Sequence, residues 1–62
     1  MEYTEPIAKE LETYAHGLEC NAEISTTEKQ HAYRKAGRAY TLASLYDDAK
    51  RMEEKAVSLS AL

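Results

Sequence analysis

The stretch that decides the fold is residues 33–56, which read YRKAGRAYTLASLYDDAKRMEEKA. Small residues recur in it at helical spacing, and larger apolar residues stand beside them. Two short amphipathic helices would bring the backbones together where glycine and alanine leave room. Between them, Ser44-x-x-Asp47 is typical of a helix N-terminus. The stretch therefore predicts a helical hairpin with a close contact near Gly37 and Ala49.

The rest of the chain extends this hairpin by one helix. The 62 residues contain only two glycines and one proline, and the charged and apolar residues follow helical periods, so the predicted fold class is all-α. We expect helices over about residues 6–24, 28–43 and 45–60. Short loops between them force neighbouring helices to run antiparallel. The prediction is a three-helix antiparallel bundle in which residues 1–62 form a single helical domain.

Each predicted helix carries an apolar stripe that should face the core. The stripe of helix 2 contains Tyr33, Gly37 and Tyr40 with alanines beside them, and a buried tyrosine needs a partner for its hydroxyl. Either Ser25 with Glu28 or Thr27 with Gln30 would cap this helix. The other two stripes are expected to be Ile7, Leu11, Tyr14 and Leu18 on helix 1, and Leu45, Ala49, Met52, Ala56 and Leu59 on helix 3.

Helix 1 also matches helix 3 when the chain is shifted by 34 residues. The matched pairs are Leu11 with Leu45, Ala15 with Ala49, Leu18 with Met52, Glu19 with Glu53, and Ala22 with Ala56. Any two amphipathic helices match at some offset, so the match alone could be a coincidence of two similar patterns and not an internal repeat.

Residues 30–62 resemble one tetratricopeptide repeat. Tyr33, Gly37 and Tyr40 stand where that family keeps its aromatic, glycine and aromatic residues, and Ala49 and Ala56 stand at its small positions. The resemblance implies a helix–turn–helix unit that binds other proteins. It also implies that the outward surface of the first helix of the hairpin lines the ligand groove.

Charge is divided unevenly along the chain. Residues 2–24 hold six acids against one lysine, whereas residues 28–38 hold four cations against one acid. The cationic side of helix 2 lies opposite its alanine and tyrosine arc. We define the basic face as this predicted partner-binding surface, which consists of His31, Arg34, Lys35, Arg38 and Leu42. Guanidinium groups suit carboxylates, so an acidic or amphipathic segment of a partner protein is the expected ligand.

Three alternatives remain open at this point. Acidic helix 1 could lie beside helix 2 and offset its charge within the molecule. A small inhibitor or adaptor could instead act on a larger enzyme through the acidic face of helix 1, which holds Glu12, His16, Glu19, Cys20 and Glu23. Exposed apolar residues such as Tyr46 and Val57 also fit a homodimer or a larger homo-oligomeric unit.

Other classes of function are expected to be absent. His16 and Cys20 are too few to hold zinc, and no pocket for a catalytic pair is expected in so small a bundle, so we predict no enzyme activity, metal or cofactor. The net charge of −3 argues against nucleic acid. No apolar run is long enough to cross a membrane. Glu2 and Glu5 occupy the place of a basic signal region, and Cys20 is unpaired, so the expected location is cytoplasmic.

Overall fold

The computed structural model describes residues 4–60, and the remaining residues of the predicted domain, 1–3 and 61–62, lie outside the described part. α1 spans Glu5–Glu19, α2 spans Thr26–Leu42 and α3 spans Tyr46–Ser60. α2 lies between the other two helices and makes nearly all of the contacts between helices. The predicted all-α three-helix bundle is confirmed.

Both ends of α2 are closed by local hydrogen bonds. At its start, the Oγ of Ser25 accepts a hydrogen bond from the Glu28 backbone N–H, so the first of the two predicted caps is the one formed. At its end, Ser44 adopts a left-handed conformation with φ of 64°. The N–H of Leu45 then donates to the Tyr40 carbonyl and that of Ser44 to the Thr41 carbonyl, which is a Schellman motif. Ser44 therefore ends α2 and does not cap α3.

α1 is shorter than predicted, because it ends at Glu19 and not near residue 24. Asn21 explains the difference. Its side-chain Oδ1 accepts a hydrogen bond from the Glu23 N–H, and its carbonyl accepts one from the Ile24 N–H. A short polar side chain that bonds to nearby backbone in this way competes with the helix and favours a turn.

The core is built mainly from alanines packed around two tyrosines. Tyr33, Tyr40 and Met52 are the largest side chains that are fully buried. The other buried apolar residues are Ala8, Ala15, Ala32, Ala36, Ala39, Ala56 and Leu59. Small residues on three helices leave room for the two rings, and each ring buries more surface than any of the alanines does.

α2 and α3 lie close together at Gly37. A β-carbon placed there would lie 3.2 Å from the Met52 Cβ and 3.4 Å from the Ala49 carbonyl oxygen. Further along the same interface, the Gln30 side chain donates a hydrogen bond to the Ala56 carbonyl at 3.1 Å. The contact predicted between the two segments of the hairpin is therefore present.

α1 packs mainly through small residues beside the predicted stripe, and only part of that stripe reaches the core. Ala8 and Ala15 are fully buried, whereas Tyr14 is 63% exposed and Leu11 and Leu18 are only partly buried. Ala8 and Ala15 are seven residues apart and lie in the same buried cluster as the two tyrosines, while Leu11 and Leu18 pack against that cluster from its edge.

The match between helix 1 and helix 3 at an offset of 34 residues does not hold at every position of the structure. Ala22 lies outside α1 and is exposed, while its expected equivalent Ala56 is buried. α1 and α3 instead begin and end 41 positions apart, at Glu5 and Tyr46 and at Glu19 and Ser60. Buried Ala15 then corresponds to buried Ala56.

Candidate protein-binding surface

The basic face lies on the side of α2 that no other helix covers. Its four polar residues, His31, Arg34, Lys35 and Arg38, are exposed, and Leu42 is 57% exposed. The arrangement follows from the helical period, because these positions fall opposite the buried tyrosines at about 100° per residue. The structure therefore places all five predicted residues at the surface, as the sequence predicted.

The cations of this face have no partner within the described part of the chain. Within residues 4–60, no ion pair involves Arg34, Lys35 or Arg38. The acids of α1 that could have neutralised them bond elsewhere: Arg51 of α3 contacts Glu12, and Lys55 of α3 contacts Glu19. α1 therefore lies beside α2, as that alternative expected, but forms no direct ion pair with these three cations within the described residues.

Two grooves divide the basic face between them. The α2–α3 groove has a volume of about 230 Å³ and the α1–α2 groove about 340 Å³. The first is lined by Arg34, Gly37, Arg38, Thr41, Ala49 and Glu53. The second is lined by Tyr14, Leu18, Glu28, His31, Ala32 and Lys35. The structure thus brings Arg34 together with Arg38, and His31 together with Lys35, while Leu42 lines neither groove.

A polar network between α1 and α2 was missed by the sequence analysis. The Tyr40 hydroxyl donates to Glu12 Oε1, and the Tyr33 hydroxyl donates to Glu19 Oε1, each at 2.5 Å. The tyrosines are seven residues apart, and so are the glutamates, so the two pairs repeat after two helical turns. That shared spacing is the signal in the sequence that could have revealed the network.

His16 lies between the two tyrosine–glutamate pairs. Its Nε2 is 3.2 Å from Glu12 Oε2, and its Nδ1 is 2.8 Å from the Tyr33 hydroxyl oxygen. The imidazole ring also packs edge-on against the Tyr33 ring, with 5.4 Å between ring centres. Because Tyr33 donates its proton to Glu19, its oxygen is an acceptor towards His16. The ring therefore links the two tyrosine–glutamate pairs through its two nitrogens.

α3 completes the network from the other side. The Arg51 guanidinium lies 3.4 Å from Glu12 and 2.7 Å from Asp48, and the Lys55 ammonium lies 2.9 Å from Glu19. Direct packing between α1 and α3 is sparse, so these two ion pairs are the main links between those helices. Glu12 and Glu19 are half-buried, with side chains 18% and 27% exposed. Their cationic partners are more exposed, at 54% for Arg51 and 40% for Lys55, so solvent screens both ion pairs.

The network changes the proton affinity of its members. Burial raises the pKa of Glu12, but hydrogen bonds from Tyr40, His16 and Arg51 outweigh it, so that pKa lies below its ordinary 4.5. The hydrogen bond from Tyr33, helped by Lys55, lowers the pKa of Glu19. Burial, together with the bond to Glu12, raises the pKa of Tyr40 from 10.0 to about 12. Burial and Glu19 likewise raise the pKa of Tyr33.

These pKa shifts predict that the free energy of unfolding is largest at intermediate pH and falls on both the acid and the alkaline side. Glutamates with lowered pKa stabilise the fold above about pH 4.5, and that stabilisation is lost as the pH falls through their folded-state values. Tyrosines with raised pKa stabilise it below pH 10.0, and that stabilisation is lost as the pH rises towards 12. We expect urea unfolding at a series of pH values to show both losses of stability, which we call the acid limb and the alkaline limb.

A double variant identifies the source of the acid limb. Glu12→Gln/Glu19→Gln should flatten the dependence between about pH 5 and pH 2, because two carboxylates no longer take up protons on unfolding. Glu10→Gln is the matched control, since Glu10 is exposed and forms no ion pair within residues 4–60. An unchanged acid limb in the double variant would contradict the assignment.

The acidic face of α1 is less available than its sequence indicates. Glu12 and Glu19 are engaged by α2 and α3, whereas Cys20 and Glu23 are exposed. Among residues 4–60, no three histidine, cysteine, aspartate or glutamate side chains are grouped so that they could hold a metal ion. The described helices also include none with the length and apolar character needed to cross a bilayer.

Comparisons with protein families, with characterised proteins and with solved structures find no match to this chain. The assignment of function therefore depends on the surface described above and on the chemistry of its side chains.

Proposed function

We propose that this domain is a protein-interaction module that binds an acidic or amphipathic segment of a partner protein on the basic face of α2. One observation carries the proposal. Arg34, Lys35 and Arg38 are exposed and form no ion pair within residues 4–60, while nearby carboxylates of α1 are taken up by α3. A cluster of unpaired cations favours a ligand that brings negative charge.

The two arginines give the surface its chemical preference. Arg34 and Arg38 are one helical turn apart and line the α2–α3 groove together with Gly37 and Ala49. A guanidinium group binds a carboxylate through two parallel hydrogen bonds. Glu53 lines the opposite wall and repels negative charge, so the ligand carboxylate should lie on the arginine side. Leu42 offers an apolar contact to an amphipathic segment.

The proposal includes the resemblance of residues 30–62 to a tetratricopeptide repeat. It is supported by the close approach of Gly37 to Ala49 and Met52, which is the packing that the small residues of such a repeat permit. It also includes a cytoplasmic location, where the exposed thiol of Cys20 stays reduced. The proposed role is binding and not catalysis.

The alternative role as an inhibitor that acts through acidic α1 has weaker support. Glu12 and Glu19 already accept hydrogen bonds from Tyr40 and Tyr33, and binding through them would break contacts that hold the three helices together. Binding on the basic face would not break these hydrogen bonds.

Charge reversal tests the proposed surface directly. The variant Arg34→Glu/Arg38→Glu should bind a synthetic acidic amphipathic helix at least about tenfold more weakly than the wild type, because two attractive contacts become repulsive. The same peptide with lysine in place of its acids should not bind. Affinity measured by calorimetry should fall with added salt, and circular dichroism should show an unchanged helical fold.

The control for this experiment is Lys9→Glu/Lys50→Glu. It makes the same change in net charge at exposed positions outside the basic face. Equal loss of binding in the two double variants would show that bulk charge is responsible. Undiminished binding by Arg34→Glu/Arg38→Glu would remove the proposed function.

A further inference from the structure

The α1–α2 groove combines apolar residues with one acid and one lysine. Its apolar residues are Tyr14 and Leu18 of α1 and Ala32 of α2. Tyr14 lines the groove and is nevertheless 63% exposed, whereas Leu18 is partly buried. Large aromatic side chains are enriched where proteins bind one another. The groove is therefore a surface that association would cover.

The acid and the lysine of the groove stand two helical turns apart on α2. Glu28 and Lys35 are seven residues apart, so they lie on the same side of the helix and about 10 Å from each other along its axis. His31 and Ala32 lie between them and also line the groove. Both Glu28 and Lys35 are exposed, and neither takes part in an ion pair within residues 4–60. The α2 side of the groove therefore has opposite charges at equal distances on either side of its midpoint.

We propose that two copies of this chain form a dimer through the α1–α2 groove, with their α2 helices antiparallel about a two-fold axis. The axis passes between His31 and Ala32, so that Glu28 of each copy lies opposite Lys35 of the other. A rotation of 180° exchanges the two ends of the groove, and these ends carry opposite charges. The α2 side of the groove is therefore complementary to itself, whereas like charges at the two ends would repel a second copy.

A second copy satisfies both charges of the groove at once. In a two-fold contact every interaction occurs twice, so one acid and one lysine per chain give two ion pairs across the interface. Tyr14 and Leu18 of both copies flank the same axis and are withdrawn from water together. Their burial supplies the favourable free energy that exposed ion pairs lack. The contact occupies the groove of each copy, so association stops at two chains.

The dimer leaves the two arginines of the basic face available. Arg34 and Arg38 line the α2–α3 groove, whereas the dimer covers His31 and Lys35 in the α1–α2 groove. This inference goes beyond the proposed function and does not depend on it.

Two opposite charge changes test the pairing. In sedimentation equilibrium, the mass of the wild type should rise from one chain towards two between about 10 µM and 1 mM, since small interfaces bind weakly. Glu28→Lys places lysine opposite lysine at both ends, and Lys35→Glu places acid opposite acid, so each variant alone should dimerise at least about tenfold more weakly. An equimolar mixture of the two variants should dimerise as the wild type does, because unlike chains restore an acid–lysine pair at both ends.

Two further variants separate the charged part of the interface from the apolar part. Glu28→Lys/Lys35→Glu should dimerise as the wild type does, because each chain then carries the same pair in exchanged positions. Tyr14→Ala should dimerise at least about tenfold more weakly, because it removes the largest apolar group of the groove without changing the charge.

Lys50→Glu and Glu54→Lys are the matched controls. They make the same charge changes at exposed positions of α3 that form no ion pair within residues 4–60 and line neither groove. Both should dimerise as the wild type does, and circular dichroism should show the same helical content for all variants. A wild type that stays monomeric up to about 1 mM would overturn the proposal. So would growth beyond two chains, normal dimerisation by any of the three single variants of the groove, or a mixture or double variant that stays monomeric.

Discussion

Gly37→Leu is expected to lower the melting temperature of the domain by roughly 12–24 °C. The first added atom alone would lie 3.2 Å from the Met52 Cβ and 3.4 Å from the Ala49 carbonyl oxygen. Neither neighbour can rotate away, because one is fixed to the backbone and the other belongs to it. α2 and α3 must therefore separate along the contact that defines the hairpin.

The magnitude follows from the size of the domain. A chain of 62 residues at about 0.05–0.15 kcal/mol per residue has a total stability of roughly 3–9 kcal/mol. Overpacking typically costs about 1–3 kcal/mol and more where the backbone cannot relax. We expect a loss of about 3 kcal/mol or more, which lowers the melting temperature by roughly 12–24 °C. Thermal unfolding followed by circular dichroism measures it.

Gly17→Leu is the control for this prediction. It makes the same chemical change in a helix, but a β-carbon at Gly17 meets nothing within 4 Å. Leucine has a higher helix propensity than glycine, so this variant should gain up to about 1 kcal/mol. If Gly37→Leu melts at the temperature of the wild type, the close contact between α2 and α3 does not exist in solution.

The hairpin could be predicted from the sequence because its signals are local. Gly37, Tyr33 and Tyr40 share one face at helical spacing, and α2 and α3 begin and end within two residues of the predicted bounds. The basic face was also predicted correctly as a surface, since position on a helix follows from the period alone. The division of the basic face between two grooves depends on the positions of α1 and α3. Those positions cannot be derived from the helical period of α2.

α1 shows why the remaining features could not be predicted in the same way. Hydrophobic periodicity selected Ile7, Leu11, Tyr14 and Leu18, but packing against two large rings favours the small Ala8 and Ala15. The face that packs best is therefore not the most hydrophobic one. The glutamates that accept hydrogen bonds from the tyrosine hydroxyls also contact α3. As a result, a side of α1 that the sequence pattern predicted to be exposed is half-buried.

The same rearrangement makes Glu12 the polar residue with the largest expected contribution. Its carboxylate accepts hydrogen bonds from Tyr40 and Arg51 and contacts His16. Glu12→Ala should cost about 2–4 kcal/mol, because bonds to a charged group are lost and a buried hydroxyl is left without its acceptor. Glu10→Ala is the control, since Glu10 is exposed on the same helix, and it should change stability by less than about 0.5 kcal/mol.

A double-mutant cycle with Tyr40→Phe tests whether the loss arises from this bond. Tyr40→Phe alone should cost about 1 kcal/mol, because the ring still fills its place in the core and only the hydroxyl is removed. In the double variant the hydroxyl no longer lacks an acceptor, so the combined loss should be smaller than the sum of the two single losses by about 1–2 kcal/mol. Urea unfolding at pH 7 gives all four free energies. Strict additivity would mean that Tyr40 and Glu12 act independently, and that their hydrogen bond does not help to hold α1 to α2.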